Sequence, residues 1–305
     1  MAAGTQTGRF AYFLDREDWL GRIMISPAIL YIAALIGFPF FLALYYSVSD
    51  INVGSESIKF IGLKNFQEIF DTPAFWLALR NTFIFAFASQ AIVLVLAKVL
   101  ALALLKDFRG KWIVRGLILL PWVAPISLGV IGWIWMLDSI YSVINWTLQA
   151  VGIFGPDTWP MWLGLPHLAM SSIITVHVWR MLPLATVILL AGLTSIPQDI
   201  EDAASVDGAG FWRRLFEITI PMLLPIMTVA VLFGLVFAFT DMIVIFVLTR
   251  GGPYDTTHVL ASLAFFTGIE GGDVAEGAAI ALFLLPLLVA VAILMLRLAR
   301  RSEVT

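Results

Sequence analysis

The segment IMTVAVLFGLVFAFTDMIVIFVL, Ile226–Leu248, is 23 residues long and has Asp241 as its one charged side chain. A bilayer core about 30 Å thick is crossed by about 20 apolar residues in a helix. Five further runs have the same character: Ile23–Val48, Thr82–Leu105, Ile113–Leu137, Leu168–Leu190 and Gly277–Leu298. The 305-residue chain is 61% hydrophobic and 13% charged, with mean hydropathy +0.97. Ordinary soluble domains carry about 25% charged residues, and a soluble α/β protein has no need of repeated apolar runs this long. Alternating segments of about 10 residues, the mark of a membrane β-barrel, are absent. The expected fold is an all-α integral membrane bundle of six transmembrane helices.

Lysine and arginine concentrate on the cytoplasmic side of membrane proteins. With the N-terminus inside, that side holds Arg9, Arg16, Arg22, Lys106, Arg109, Lys111, Arg115, Arg213, Arg214, Arg297, Arg300 and Arg301. The outer loops hold only Lys59, Lys64, Arg80 and Arg250, while Lys98 and Arg180 fall within spans. Twelve against four puts both termini in the cytoplasm, together with the loop between the fourth and fifth spans. Residues 1–22 are then a cytoplasmic N-terminal segment, 23–300 one transmembrane domain and 301–305 a tail. The polar start, with Arg9, Asp15, Arg16, Glu17 and Asp18, lacks an apolar core followed by a small-residue cleavage site and does not read as a signal peptide. The absence of cysteine rules out disulfides and thiolate metal sites. The spacing of His167, His177 and His258 indicates no metal cluster. Asn65–Phe70 and Pro73–Leu79 read as short interfacial helices with aromatic residues on one side, and Trp146, Trp159 and Trp162 as part of an ordered outer loop.

Between spans four and five the chain reads SIPQDIEDAASVDGAGFWRRLFEITIP, Ser195 to Pro221. Ser195 can cap a helix, and Pro197 suits a first turn, where a missing N–H costs nothing. Asp199, Glu201 and Asp202 favour the positive end of the helix dipole, and Ala203 and Ala204 favour helix. Gly208 and Gly210 end it and permit a left-handed turn. A second short helix is expected from Phe211 to about Ile218, stopped by Pro221. Ordinary connections run to about 4–6 residues; this one is longer and patterned as two helices with small residues at the bend.

The segment resembles the EAA loop of ABC-importer permeases: Glu-Ala-Ala, three residues, Gly, nine residues, Ile, one residue, Leu-Pro. Here the corresponding residues are Asp202, Ala203, Ala204, Gly208, Ile218, Ile220 and Pro221, with Glu201 beside Asp202. Two positions depart, Asp202 for Glu and Ile220 for Leu. Phe60–Phe66, Trp76–Thr82, Leu119–Trp122, Asp207-Gly208-Ala209 and Gly251-Gly252-Pro253 resemble segments of the maltose- and glycerol-phosphate-type branch. The resemblance implies a six-helix permease with a cytoplasmic coupling helix in the 195–225 loop. It further implies a bacterial or archaeal cytoplasmic (inner) membrane, and uptake of a carbohydrate or polyol, of the oligosaccharide, glycerol or glycerol-phosphate class. The implied partners are a second, non-identical permease, two ATPase subunits and an extracytoplasmic solute-binding protein. Glu201, Asp202, Ala203, Ala204, Asp207, Gly208, Ala209, Ile218 and Pro221 would carry the coupling. The chain lacks a G-x-x-x-x-G-K-[ST] phosphate loop, so no catalytic residue is expected in it, and ATP and Mg would be bound by the partner ATPase. No nucleic-acid partner is expected.

A charge at membrane depth costs about 2.5–3.5 kcal/mol on insertion scales and marks a functional position by default. Asp241, expected midway along span five, stands with Thr240, Phe237 and Phe239 as a candidate for the solute pathway, with Trp179 and Arg180 of span four beside it. Asp241 can hydrogen-bond solute hydroxyls while the rings meet the apolar sides of a sugar, or it can pair with Lys98 or Arg180 to hold helices together. His177 reads as a packed residue bonded to backbone. Gly251, Gly252 and Pro253 end span five on the outer side, either as a plain turn or as part of an outer gate. A secondary transporter or channel built on Asp241 is the alternative; it would need a coupling-ion site of carboxylates on broken helices.

Overall fold

A computed structural model describes residues 17–155 and 158–303. Arg9, Arg16 and most of the expected N-terminal segment lie outside the described residues, as do Val304 and Thr305 of the tail. Among the described residues the regular structure is helical apart from one pair of two-residue antiparallel strands, β1 (Ser49–Asp50) and β2 (Lys59–Phe60). Five helices among the described residues are long and apolar enough to cross a membrane: Trp19–Ser47, Pro73–Leu105, Pro166–Thr194, Phe211–Thr240 and Val274–Leu298. A bent pair of apolar helices brings the number to six where the pair is counted as one span.

The first crossing comprises α1 (Glu17–Ile32), a π turn at Ala33–Gly37 and α2 (Phe38–Ser47). None of its most apolar window is buried within the chain, so it reaches its apolar environment outside this subunit. A short helix, α3 (Lys64–Asp71), precedes α4 (Pro73–Leu105). Pro73–Leu79 therefore forms no separate interfacial helix. Pro73 occupies the first turn of α4, where its missing N–H is tolerated, and no later breaker interrupts the run. Phe283 anchors the aromatic residues of this end: Phe66, Phe70 and Phe75 lie at ring-centroid separations of 5.9, 5.4 and 4.9 Å from it.

The third expected span, Ile113–Leu137, is two helices, α5 (Lys111–Val123) and α6 (Ile126–Met136), meeting at 97°. The cause is local. Ala124 precedes Pro125, whose ring disfavours the helical region for its neighbour, and Ala124 accordingly adopts φ −65°, ψ 145°. A short helix, α7 (Val143–Ala150), follows, and Trp162 donates its indole N–H to Asn145 Oδ1 at 2.8 Å, tying down the tryptophan-rich loop.

The centre of the bundle is α4 against α8 (Pro166–Thr194), joined by α11 (Ile220–Thr240). Small residues on the buried faces, among them Ala86, Ser89, Ala97, Ala101, Ala169, Ser172 and Gly192, let the backbones approach. A Cβ on Gly192 would lie 2.9 Å from side-chain atoms of Leu223 and Ile226, so α8 and α11 fit closely there only because that position is glycine. The chain then continues through α12 (Ile243–Leu248), α13 (Leu260–Phe265), a π turn at Phe266–Glu270, α14 (Val274–Leu282) and α15 (Leu284–Glu303).

Candidate functional site

The loop joining α8 to α11 holds two helical pieces, α9 (Gln198–Val206) and α10 (Phe211–Arg213). Ser195 does not cap α9. Its hydroxyl donates to Gly192 O at 2.8 Å and closes α8, while Pro197, in extended conformation, is the residue from which α9 starts. Asp199 and Glu201 lie in the first turn. At the other end, Gly208 N–H donates to Ser205 O at 3.2 Å and Ala209 N–H to Ala204 O at 2.9 Å, the paired bonds of a Schellman motif. Gly208 is left-handed at φ 71°, as the motif requires; Gly210, at φ −66° and ψ 170°, is extended and needs no glycine for that.

The motif sorts the loop's side chains. Ala204 faces inward and is buried, whereas Glu201, Asp202, Ala203, Asp207 and Gly208 are exposed and Ala209 is partly so. Val206, which the sequence pattern did not single out, is 88% exposed. Arg214 donates to Ser205 Oγ at 3.2 Å and bridges the two arms of the bend. The second piece does not stop at Pro221. After α10 the chain opens into a π turn at Arg214–Thr219, with Ile218 partly buried, and enters α11 with Pro221 in its first turn. A proline lacks the N–H donor of an α-helix and crowds the carbonyl four residues back, and the wider turn just before it accommodates both defects.

At the opposite end of α11 the expected span Ile226–Leu248 is broken. Helix ends at Thr240, Asp241 is extended at φ −73° and ψ 108°, and α12 begins at Ile243. Asp241 is thus at a helix break, not in mid-helix. Its side chain is 1% exposed and fully engaged. Oδ2 accepts from His177 Nδ1 at 2.7 Å and from Arg180 Nη1 at 3.4 Å; Oδ1 accepts from Val244 N–H at 3.2 Å. An ionised carboxylate has no proton to give, so His177 is the donor. His177 is therefore not bonded to backbone through Nδ1, and its ring also meets Phe85 edge-on at 4.7 Å. Of the two cations weighed as partners, Arg180 reaches Asp241. Lys98 instead lines a groove with Phe211 and Trp212 near the loop end of the bundle.

The other pathway candidates separate. Arg180, Phe237, Thr240 and Asp241 share a cavity of about 460 Å³ with Ala264 and Leu284. Phe239 points away, wholly buried with Phe83 and Phe87 at 6.0 and 6.1 Å. Trp179 packs on Trp133 at 5.8 Å and on Gly129.

Gly251, Gly252 and Pro253 lie in a tightly bonded loop after α12. Thr257 donates its backbone N–H to Gly251 O at 2.9 Å and its hydroxyl to Gly252 O at 2.6 Å. Gly251 has φ 86°, and any Cβ there would collide with the His258 imidazole, so glycine is needed twice over. The Gly252–Pro253 bond is cis. Asn81 on α4 donates to Thr256 O and His258 O at 2.8 and 3.1 Å, fastening the loop to the bundle, while Tyr254 stands 88% exposed. Burial pushes the His258 imidazole down from its usual range, against a smaller upward pull from Asp255.

The family model of the binding-protein-dependent transport system inner membrane component matches residues 93–304. The chain belongs to that family. It is a permease, the membrane component of an importer, and not the ATPase. The trehalose/maltose transport system permease protein MalF of Thermococcus litoralis is 32% identical, over 93% of this chain and 95% of its own. The sulfoquinovosyl glycerol transport system permease protein SmoG of Agrobacterium fabrum is 30% identical over 98% and 96%. The sn-glycerol-3-phosphate permease protein UgpA of Pectobacterium atrosepticum is 28% identical over 94% and 96%. The permease fold matches that of a chain in the crystal structure of a bacterial ABC transporter importing the acidic polysaccharide alginate. That match has a TM-score of 0.80 at 20% identity and covers 96% of this chain and 99% of that one. A bacterial alginate ABC transporter in complex with an alginate pentasaccharide-bound periplasmic protein also matches, with a TM-score of 0.79 at 21% identity over 96% of this chain and 98% of that one.

Two features of the permease were outside the reach of sequence patterning. The outward Val206 follows from the phase of α9, which the Schellman motif sets. The His177–Asp241 bond joins residues 64 apart and carries no local signal.

Proposed function

We propose that this permease carries a carbohydrate or polyol inward by alternating access, driven by a separate ATPase that docks on the 195–225 loop. The observation that carries this reading is the form of α9. A short helix exposes Glu201, Asp202, Ala203, Val206 and Asp207, and ends in a left-handed Gly208 around which a Cβ would find nothing within 4 Å. A bend so open lets a partner's backbone come close. The excess of basic residues supports placing this loop and both termini in the cytoplasm. ATP and Mg would then be bound by the ATPase pair, a second and different permease would complete the pathway, and an extracytoplasmic binding protein would deliver solute near Gly251–Pro253. The relatives for trehalose/maltose, sulfoquinovosyl glycerol and glycerol phosphate support the solute class. Arg180, Thr240 and Phe237, which share a cavity, are the side chains proposed to meet it. Family membership leaves a channel or secondary transporter using Asp241 without support.

Co-expression with the cognate ATPase tests the docking surface. Replacing Ala203 by Glu and Gly208 by Trp is expected to abolish co-purification while the permease still reaches the membrane. Undiminished co-purification would sink the proposal.

A further inference from the structure

The two helices that leave the α8–α11 loop are fastened to each other twice. Near the loop, Gly192 of α8 seats the side chains of Leu223 and Ile226. Farther along, Asp241 at the end of α11 accepts from His177 and Arg180 of α8 at 2.7 and 3.4 Å. Arg180 lies fourteen residues before the end of α8, about 21 Å along its axis at 1.5 Å per residue. The loop and both helices are thus closed into a frame, tied at each end. The same carboxylate does a second thing: through Oδ1 it holds Val244 N–H at 3.2 Å and so starts α12, which leads within six residues to the Arg250–Thr257 loop. That loop is fixed in turn, by Arg250 to Glu270 at 2.7 Å and by Asn81 to its backbone. Buried charged groups are retained where they are paired and hydrogen-bonded, and here all the pairing converges on the one residue where three helices meet.

We infer that Asp241 is a transmission joint: with His177 and Arg180 it makes α8, α11 and α12 move as one body, so that displacement of the α8–α11 loop reaches the Arg250–Thr257 loop. Asp241 is on this account a positioning residue. Its carboxylate oxygens are committed to protein donors and its side chain is 1% exposed, whereas Arg180, 20% exposed, is the more accessible member of the cluster at the cavity that both line. The inference rests on the reading of the α8–α11 loop as the ATPase dock.

The test uses the whole importer in lipid vesicles: both permeases, the ATPase pair and the binding protein. Asp241→Asn keeps the side chain's size and an oxygen to accept from Val244 but removes the charge. With the joint loosened, the maximal uptake rate falls at least about tenfold, apparent KM for solute stays within about twofold, and ATP hydrolysis persists, so more ATP is consumed per solute moved. His177→Gln, at a buried residue that bonds Asp241 and does not line the cavity, does the same, and the double variant is no worse than either alone, as expected of residues in one network. A raised KM with unchanged maximal rate would make Asp241 a solute ligand and overturn the inference, as would unchanged uptake. A second measurement does not depend on how Asp241→Asn folds. Because the chain lacks cysteine, spin labels on Ser171→Cys in α8 and Val247→Cys in α12 report one distance in the native cluster. That distance is expected to hold within about 2 Å between nucleotide-free and ATP-bound states, and a larger change would overturn the joint. Failure of the wild-type importer to couple uptake to ATP would instead sink the docking reading itself.

Discussion

At Gly208 the backbone, and not the space around it, sets the constraint. A Cβ there would meet nothing within 4 Å, yet φ is 71°, a region that costs an ordinary L-residue about 1–2 kcal/mol. Gly208→Ala is therefore expected to loosen the Schellman turn without any clash. A loss of that size multiplies local opening by about 5–30-fold, readable as faster amide exchange at Gly208 and Ala209, the two donors of the motif. Neighbouring residues separate docking from folding. Val206→Asp places a charge on a side chain already 88% exposed, and is expected to weaken ATPase co-purification while leaving loop exchange unchanged. Ala204→Asp forces a charge into a buried position lined by Leu102, Ile196 and Leu215, and is expected to disorder the loop as well as abolish docking. Equal exchange behaviour of the two variants would contradict the assignment of inward and outward faces.

At the scale of elements, the apolar runs were legible because hydropathy is additive along the chain and needs no knowledge of neighbours. The break between α5 and α6 was within reach too, since Pro125 restrains Ala124 by purely local sterics. The break at Asp241 was not, because its cause lies on another helix: α11 stops where the carboxylate can reach His177 and Val244 together. Helix phase around α9 was likewise undetermined until the Schellman bonds fixed it. The loop after α12 carries a further consequence of burial. His258 packs on Gly251 and is held below its usual protonation range. Its folded pKa lies below its unfolded one, so its contribution to stability is fully present above the unfolded value near 6.5 and is lost as pH falls from there through the folded pKa. Amide exchange at Gly252 and Thr257, corrected for intrinsic rates, is expected to rise between about pH 7 and pH 5. His258→Gln should remove that pH dependence; a wild-type loop insensitive to this range would refute it.

At the scale of the whole molecule, the charge asymmetry and the bundle geometry make one joint claim about sidedness. Helix α11, with 21 residues, spans about 31 Å at 1.5 Å per residue, which is the thickness of the hydrocarbon core. The proposed topology accordingly puts the α8–α11 loop at its start and the Arg250–Thr257 loop beyond its end on opposite faces of the membrane. Twelve of eighteen basic residues fall on the side assigned to the first of these loops, and that bias sets orientation. A chain without cysteine allows a direct check, because each introduced thiol is the only one present. Val206→Cys and Tyr254→Cys each replace a side chain that is 88% exposed, so neither label is limited by burial. In intact cells or right-side-out vesicles, a membrane-impermeant maleimide should modify the thiol at position 254 and leave the one at 206 untouched until detergent is added. The assembled importer sharpens the comparison: with the ATPase bound, position 206 should stay protected even after permeabilisation, whereas in the permease alone it should label freely. Labelling of position 206 from outside would invert the topology and remove the docking surface from the reach of any cytoplasmic ATPase.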